Sequence, residues 1–179
     1  MASEIASEDL TIYAWTGDPN DCVMHTIELR HPAFRDEDGN TAPVRIVCDF
    51  EELAAMLEDG APIDGGDEVT FSPCAFSVKL PDQGMGGSPF VNVNIDNVSR
   101  TLMPYADAAA DSPSPVDMTY RQFLASNLSA PALVMDGAKI NKLKINLFGL
   151  TGQAGYDDFI NKPHPALIYT TREYPGLDR

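Results

Sequence analysis

Residues 76–100, FSVKLPDQGMGGSPFVNVNIDNVSR, hold two runs of alternating apolar and polar side chains separated by a glycine-rich connection. Phe76, Val78 and Leu80 alternate with Ser77 and Lys79, and Val91, Val93 and Ile95 alternate with Asn92, Asn94 and Asp96. Successive side chains of a strand point to opposite faces, so each run predicts a strand with one buried and one solvated side. The connection from Pro81 to Ser88 carries Gly84, Gly86 and Gly87 with an acid and an amide, which suits an exposed excursion through positive φ. A chain built around such a pair needs further strands to cover its apolar face.

The rest of the chain supplies them in short pieces, because 14 prolines and 13 glycines are spread along 179 residues instead of being pooled in one tract. Val23, His25, Ile27 and Leu29 predict a strand that stops at His31-Pro32, and Pro43–Phe50 predicts another with Val44, Ile46 and Cys48 on one face. Leu53, Met56 and Leu57 fit a helical stripe over Glu51–Glu58, and the alanines there raise helix propensity. Glu68–Phe71 and Cys74–Leu80 read as a strand pair around Pro73. Ser99–Ala110 reads as a helix with Pro104 in its first turn. Val116–Arg121 predicts a strand, Leu133–Met135 with Lys139–Phe148 a hairpin about Asp136-Gly137, and Ala166–Thr171 a late strand. The sum is eight to ten short strands with one or two small helices. The fold class expected is therefore all-β, a β-sandwich or partly open barrel. Residues 1–10 read as an acidic N-terminal arm and 11–179 as a single β-rich domain, a length able to bury roughly 70% of its unfolded surface.

Charge narrows the partners. With 27 acids against 12 basic residues the net charge is −15, which repels nucleic-acid phosphates and argues against sequence-specific nucleic-acid binding. Lys139, Lys142 and Lys144 form a small basic cluster, read as a solvated strand face. No apolar run approaches ~18 residues, so no membrane insertion is expected, and the opening MASEIASEDL is acidic where a secretory signal would be basic and then apolar. Cys22, Cys48 and Cys74 are odd in number and read as reduced thiols in the core; their equal spacing of 26 has no repeat around it and is taken as coincidence.

The usual chemical constellations do not assemble from these residues, and no catalytic, cofactor-binding or metal residue is assigned. Of the three histidines, His25 lies on a predicted apolar face while His31 and His164 each precede proline. No serine or cysteine is framed as a nucleophile. Cys22 and His25 fall on opposite faces of a strand, unlike zinc ligands. Asp36, Asp38 and Asn40 resemble the start of a calcium loop, but Thr41 stands where glycine is needed and Val47 where a bidentate glutamate is needed. Gly84, Gly86 and Gly87 join strand to strand and offer no helix N-terminus to an anion. The pairs Glu51-Glu52 and Asp157-Asp158 are sequence neighbours that diverge. Asn97-Val98-Ser99 and Asn127-Leu128-Ser129 match the glycosylation sequon, which acts only in secreted chains.

PVRIVCDF (43–50), LEDGAP (57–62), VTFSPCAFSVKLP (69–81), VNIDNVSR (93–100), PVDMTYRQFLAS (115–126) and YTTREYPGLDR (169–179), in that order, resemble a family of uncharacterised minor tail or tail-tip proteins of bacteriophages with long non-contractile tails. IDNVSR (95–100), YRQFLAS (120–126) and PGL (175–177) are the most specific pieces, and the chain differs from the family by its extended acidic N-terminus and by IDGGDE (63–68). The resemblance implies a structural component of the distal tail in the virion, made in the host cytoplasm and without enzymatic activity or cofactor. The partners it implies are further copies of itself in a sixfold or threefold ring, the tail tube protein, the tape measure and the central tip or hub proteins. Long loops and terminal arms suit such assembly, and an acidic subunit suits a channel that passes DNA. The alternative is a receptor- or carbohydrate-binding β-domain of the tail tip, which would expose aromatic platforms. Trp15, in the N-terminal region, is the single tryptophan and reads as a knob packed on a neighbour.

Overall fold

The computed structural model describes residues 8–16, 21–36, 39–79, 90–96, 102–146 and 149–155. Within them lie helix α1 (Glu8–Thr16), strands β1 (Val23–Arg30), β2 (Val44–Val47), β3 (Leu53–Met56), β4 (Glu68–Pro73), β5 (Phe76–Lys79) and β6 (Phe90–Asp96), helix α2 (Met103–Ala110), and strands β7 (Val116–Leu124), β8 (Leu133–Asn146) and β9 (Gly149–Gly155). The all-β expectation with short helices holds: the strands form one nine-stranded sheet in the order β3-β4-β2-β1-β7-β8-β9-β6-β5. All pairings are antiparallel except β2 with β4.

Chain connectivity curls this sheet. Strands β4 and β5 are separated by Cys74 and Ala75 alone, yet they lie near opposite ends of the strand order. At ~4.8 Å per strand a flat sheet would hold them about 34 Å apart, whereas the connection spans at most about 11 Å. The sheet therefore bends until its ends meet along one segment, residues 68–79. The junction bonds to both sides: the Cys74 N–H donates to the Val47 carbonyl of β2 at 2.9 Å, and the Asp96 N–H of β6 donates to the Ala75 carbonyl at 2.8 Å. This is the barrel-like form of the expected architecture.

The interior is lined by the alternating residues of the curled sheet. Val91, Val93 and Ile95 of β6 are buried and Asn92, Asn94 and Asp96 are exposed, as the sequence alternation predicts. Strand β6 pairs with β5 in the register Phe76↔Ile95 and Val78↔Val93. Ile27, Met118, Tyr120, Ala138 and Ala154 complete the same cluster, and α2 presses Leu102, Ala106 and Ala109 onto it. Proline sits in the first turn of α2, as expected. Helix α1 spans the boundary drawn after Leu10 between arm and domain, and Leu10 packs against this core. A second cluster, Val47, Leu53, Ala55, Leu57, Val69, Phe71 and Phe123, lies outside it under β3 and β4. Strand β7 is thus buried on both faces, with Met118 and Tyr120 in one cluster and Phe123 in the other.

Four sequence expectations change. The helix expected over Glu51–Glu58 is strand β3: Leu53 and Ala55 are buried, Ala54 and Met56 exposed, and antiparallel pairing with β4 overrides alanine's local preference. The strand expected over 43–50 is regular only from Val44 to Val47. The hairpin expected about Asp136-Gly137 is a bulge inside one 14-residue strand, β8, where Gly137 takes φ +81° and the register against β7 shifts between Met118 and Tyr120. The true partner of the second half of β8 is β9, whose sequence GLTGQAG holds one strand former, Thr151, among three glycines. Gly149 is required there, since a Cβ would stand 2.8 Å from the Ile95 carbonyl oxygen of neighbouring β6. The strand pair expected around Pro73 is two strands that pair with others: β4 runs through Pro73, which registers with Val47 of β2, and β5 starts at Phe76 and pairs with β6. The loop 81–88 and the late strand 166–171 lie outside the described residues.

Candidate functional site

Alternation places Glu28 and Arg30 of β1, Arg45 of β2 and Thr119 and Arg121 of β7 on the sheet face away from the interior cluster, a face usually given to solvent. Here it is covered. Glu28, Thr119 and Arg121 are fully buried, and three guanidinium groups converge on the Glu28 carboxylate: Arg30 Nη1 at 2.9 Å, Arg45 Nε at 3.1 Å and Arg121 Nη1 at 3.2 Å. Each arginine also holds a second carboxylate. Arg30 Nη2 meets Asp136 at 2.9 Å, Arg45 Nη2 meets Asp64 at 2.7 Å, and Arg121 grips Glu58 through Nε and Nη2, each at 2.9 Å in its shorter bond. The bulge in β8 turns Asp136 toward this group, where the Thr119 hydroxyl donates to it at 2.5 Å. Burial pushes the Asp136 carboxyl up, but the bonds from Thr119 and Arg30 outweigh it and hold the group below the ordinary aspartate value. Burial likewise lowers Arg30, and its bonds to Asp136 and Glu28 more than restore it.

Four carboxylates and three guanidiniums thus neutralise one another almost completely, and the arrangement is a clamp. It ties the 57–67 segment, through Glu58 and Asp64, across strands β1, β2 and β7. Since Glu28 and Arg121 are 93 positions apart in the chain, the only sequence signal was two charged residues on a strand read as amphipathic.

The interior face carries a second polar chain. The Gln122 amide donates to the Tyr120 hydroxyl at 2.7 Å, and that hydroxyl lies 2.6 Å from His25 Nδ1, the rings stacked with centroids 6.0 Å apart. With the hydroxyl accepting from the amide, its own proton is free to pass to Nδ1 of a neutral His25. Burial pushes the His25 pKa down and that of Tyr120 up, in agreement with this assignment. His31 is also buried, its Nδ1 accepting from the Ala33 N–H at 3.0 Å and its Nε2 placed 3.3 Å from the Ser114 carbonyl. The two imidazoles serve separate structural bonds.

The remaining sequence candidates are placed as follows. The cysteines are not core residues: Cys22 and Cys48 are exposed and Cys74 is half-buried. Strand β2 ends at Val47 and puts Cys48 in the open bend that follows. Cys22 contacts Met24 through sulfur at 3.8 Å and does not approach the His25 ring. Asp36 uses its carboxylate and backbone to close a turn with Asn40, the Asn40 N–H donating to Asp36 Oδ1 at 2.7 Å. Asn127 and Ser129 likewise close a turn on each other. Among the described residues no group of three or more histidine, cysteine, aspartate or glutamate side chains is arranged to hold a metal ion. Lys144 is exposed and Lys139 half-buried on β8. Asp38, Gly84, Gly86, Gly87, Asn97, Asp157, Asp158 and His164 lie outside the described residues, as do the side chains of Trp15 and Lys142.

One surface feature escaped the sequence reading. Phe50 is 97% exposed at the bend after β2, next to the exposed acids Glu51 and Glu52 and the half-buried Asp49. The sequence CDFEE gives no local warning, because Phe50 continues the apolar–polar alternation of 44–50 and only the early end of β2 lifts it from the sheet. Nearby, where the two-residue parallel pairing of β2 and β4 gives out, the strands diverge around a groove of about 490 Å³ lined by Val44, Arg45, Thr70, Pro73, Leu102 and Tyr105.

A family model described as a domain of unknown function, DUF1833, matches residues 9–169. No curated protein matches the chain.

Proposed function

The chain belongs to the DUF1833 family, and on that premise we propose that it is a structural component of the distal tail or tail tip of a long non-contractile bacteriophage tail, a homo-oligomeric ring or adaptor between the tail tube and the central tip proteins. The observation that carries the reading is Phe50. A fully exposed phenylalanine on a defined bend has hydration to lose by docking, and the acids beside it in the chain keep it soluble until it meets a partner. The sequence resemblance to tail proteins supports the same reading, as does a curled sheet pinned by a buried charge clamp, a rigid body suited to repeated packing around an axis. A carbohydrate-binding surface is favoured less, since such sites are concave and aromatic-lined, whereas among the described residues Phe50 is the one exposed aromatic side chain.

Deleting the coding sequence from the virus that carries it, followed by electron microscopy of the lysate, tests the role. Tails without a tip, or no tails, are expected. Complete tails with undiminished infectivity would overturn it.

A further inference from the structure

The spacing of Cys48 and Cys74 takes on meaning in the tertiary structure. The parallel register Ile46↔Ser72 and Val47↔Pro73 places these two cysteines as the next residues along β2 and β4. The Cys74 N–H donates to the Val47 carbonyl at 2.9 Å, which holds the two backbones together at that step. Both sulfurs lie over the same end of the β5–β6 ladder: Cys48 Sγ is 3.3 Å from the Phe76 carbonyl and Cys74 Sγ is 3.4 Å from that of Asp96. Burial pushes the Cys74 thiol up, and the neighbouring Asp96 and Cys48 push it further, which places the two thiols within electrostatic reach.

We propose that Cys48 and Cys74 are a dithiol oxidation site, closing under peroxide into a disulfide across the seam where the curled sheet meets itself. At Val47 and Pro73, one step before the cysteines, the paired strands stand ~4.8 Å apart, within the 4.4–6.8 Å that a disulfide requires between Cα atoms. Joining the sulfurs takes them off the Phe76 and Asp96 carbonyls they now face. Cys48 is exposed and meets the oxidant first. Its thiolate attacks one peroxide oxygen, breaking the O–O bond and leaving a sulfenic acid and a molecule of water. The Cys74 sulfur, shedding its proton, then attacks the Cys48 sulfur and expels the hydroxyl as a second water. Two thiols and one hydrogen peroxide thus give one disulfide and two waters. The cross-link ties β2 to the bent 68–79 segment, so it stabilises the closed sheet without changing its register.

The test uses the full-length protein, reduced, freed of reductant and treated with a small excess of hydrogen peroxide. The free-thiol count should fall from three to one, the intact mass should drop by two hydrogens, and peptide mapping should join Cys48 to Cys74. The unfolding midpoint should rise by roughly 4–16 °C and return on adding dithiothreitol. Cys22→Ser should behave as wild type, whereas Cys48→Ser and Cys74→Ser should each abolish the intramolecular cross-link. Sulfinic or sulfonic acid at Cys48, disulfide-linked dimers, an unchanged thiol count or a lowered midpoint on oxidation would each overturn the proposal.

Discussion

Replacing Glu28 with glutamine tests whether the charge clamp is the main polar support of the fold. The change preserves volume but removes a charge shared by three guanidiniums within 3.2 Å, at a carboxylate with no solvent exposure. The new amide NH2 would also point a donor at donors. Breaking a buried ion pair by removing one partner costs about 3–5 kcal/mol. Because Arg30, Arg45 and Arg121 each retain a second carboxylate, the low end applies, about 3 kcal/mol by the same rule. For a chain of this length that lowers the midpoint by about 6–12 °C, at roughly 2–4 °C per kcal/mol. Asp64→Asn is the internal control: its bond to Arg45 is short, 2.7 Å, but the side chain is 45% exposed. An exposed pair contributes about 0–1 kcal/mol, a shift of no more than about 4 °C. Thermal unfolding followed by far-ultraviolet circular dichroism, with urea titrations to check that the denaturant slope is unchanged, measures both. Equal shifts for the two variants, or a Glu28→Gln midpoint within about 2 °C of wild type, would refute the reasoning, the latter amounting to no more than ~1 kcal/mol.

Val93→Asp should prevent folding and Asn94→Asp should be mild, since neighbours in β6 face the core and the solvent respectively and an unpaired buried charge costs several kcal/mol; similar thermal losses for the two would show that the faces are misassigned. The His25 pKa is depressed by burial, so the unfolded chain binds the proton more tightly: stability should be complete above the unfolded value of about 6.5 and decline as pH falls below it toward the folded value, with His25→Gln flattening midpoints measured from about pH 7.5 to 5.5. Asp136, depressed from an ordinary carboxylate value, keeps its contribution throughout that range and loses it only at more acid pH, so a profile unaltered by His25→Gln would remove His25 as the cause.

Local alternation in the sequence was enough to determine most strands and their faces. Val91, Val93 and Ile95 point inward and Asn92, Asn94 and Asp96 outward because a period of two is a property of the extended backbone itself, and Pro104 could be assigned to the first turn of α2 by the same kind of local rule. Where a long-range partner makes the choice, local reading fails. Leu53–Met56 is a strand because β4 offers it a ladder, Gly149–Gly155 is a strand because β6 and β8 offer it ladders on both sides, with only glycine fitting at 149 beside the Ile95 carbonyl, and Asp136-Gly137 is a bulge because β8 must pass from β7 to β9. The clamp was equally hidden. Glu28 looks solvated until the 57–67 segment folds over it and Arg121 arrives from β7, and Phe50 looks buried until β2 ends three residues early. Pairing β2, β1 and β7 side by side is what sets Arg45, Glu28 and Arg121 against one another, with 57–67 laid over them: faces are coded residue by residue, whereas burial depends on which other part of the chain comes to lie on top.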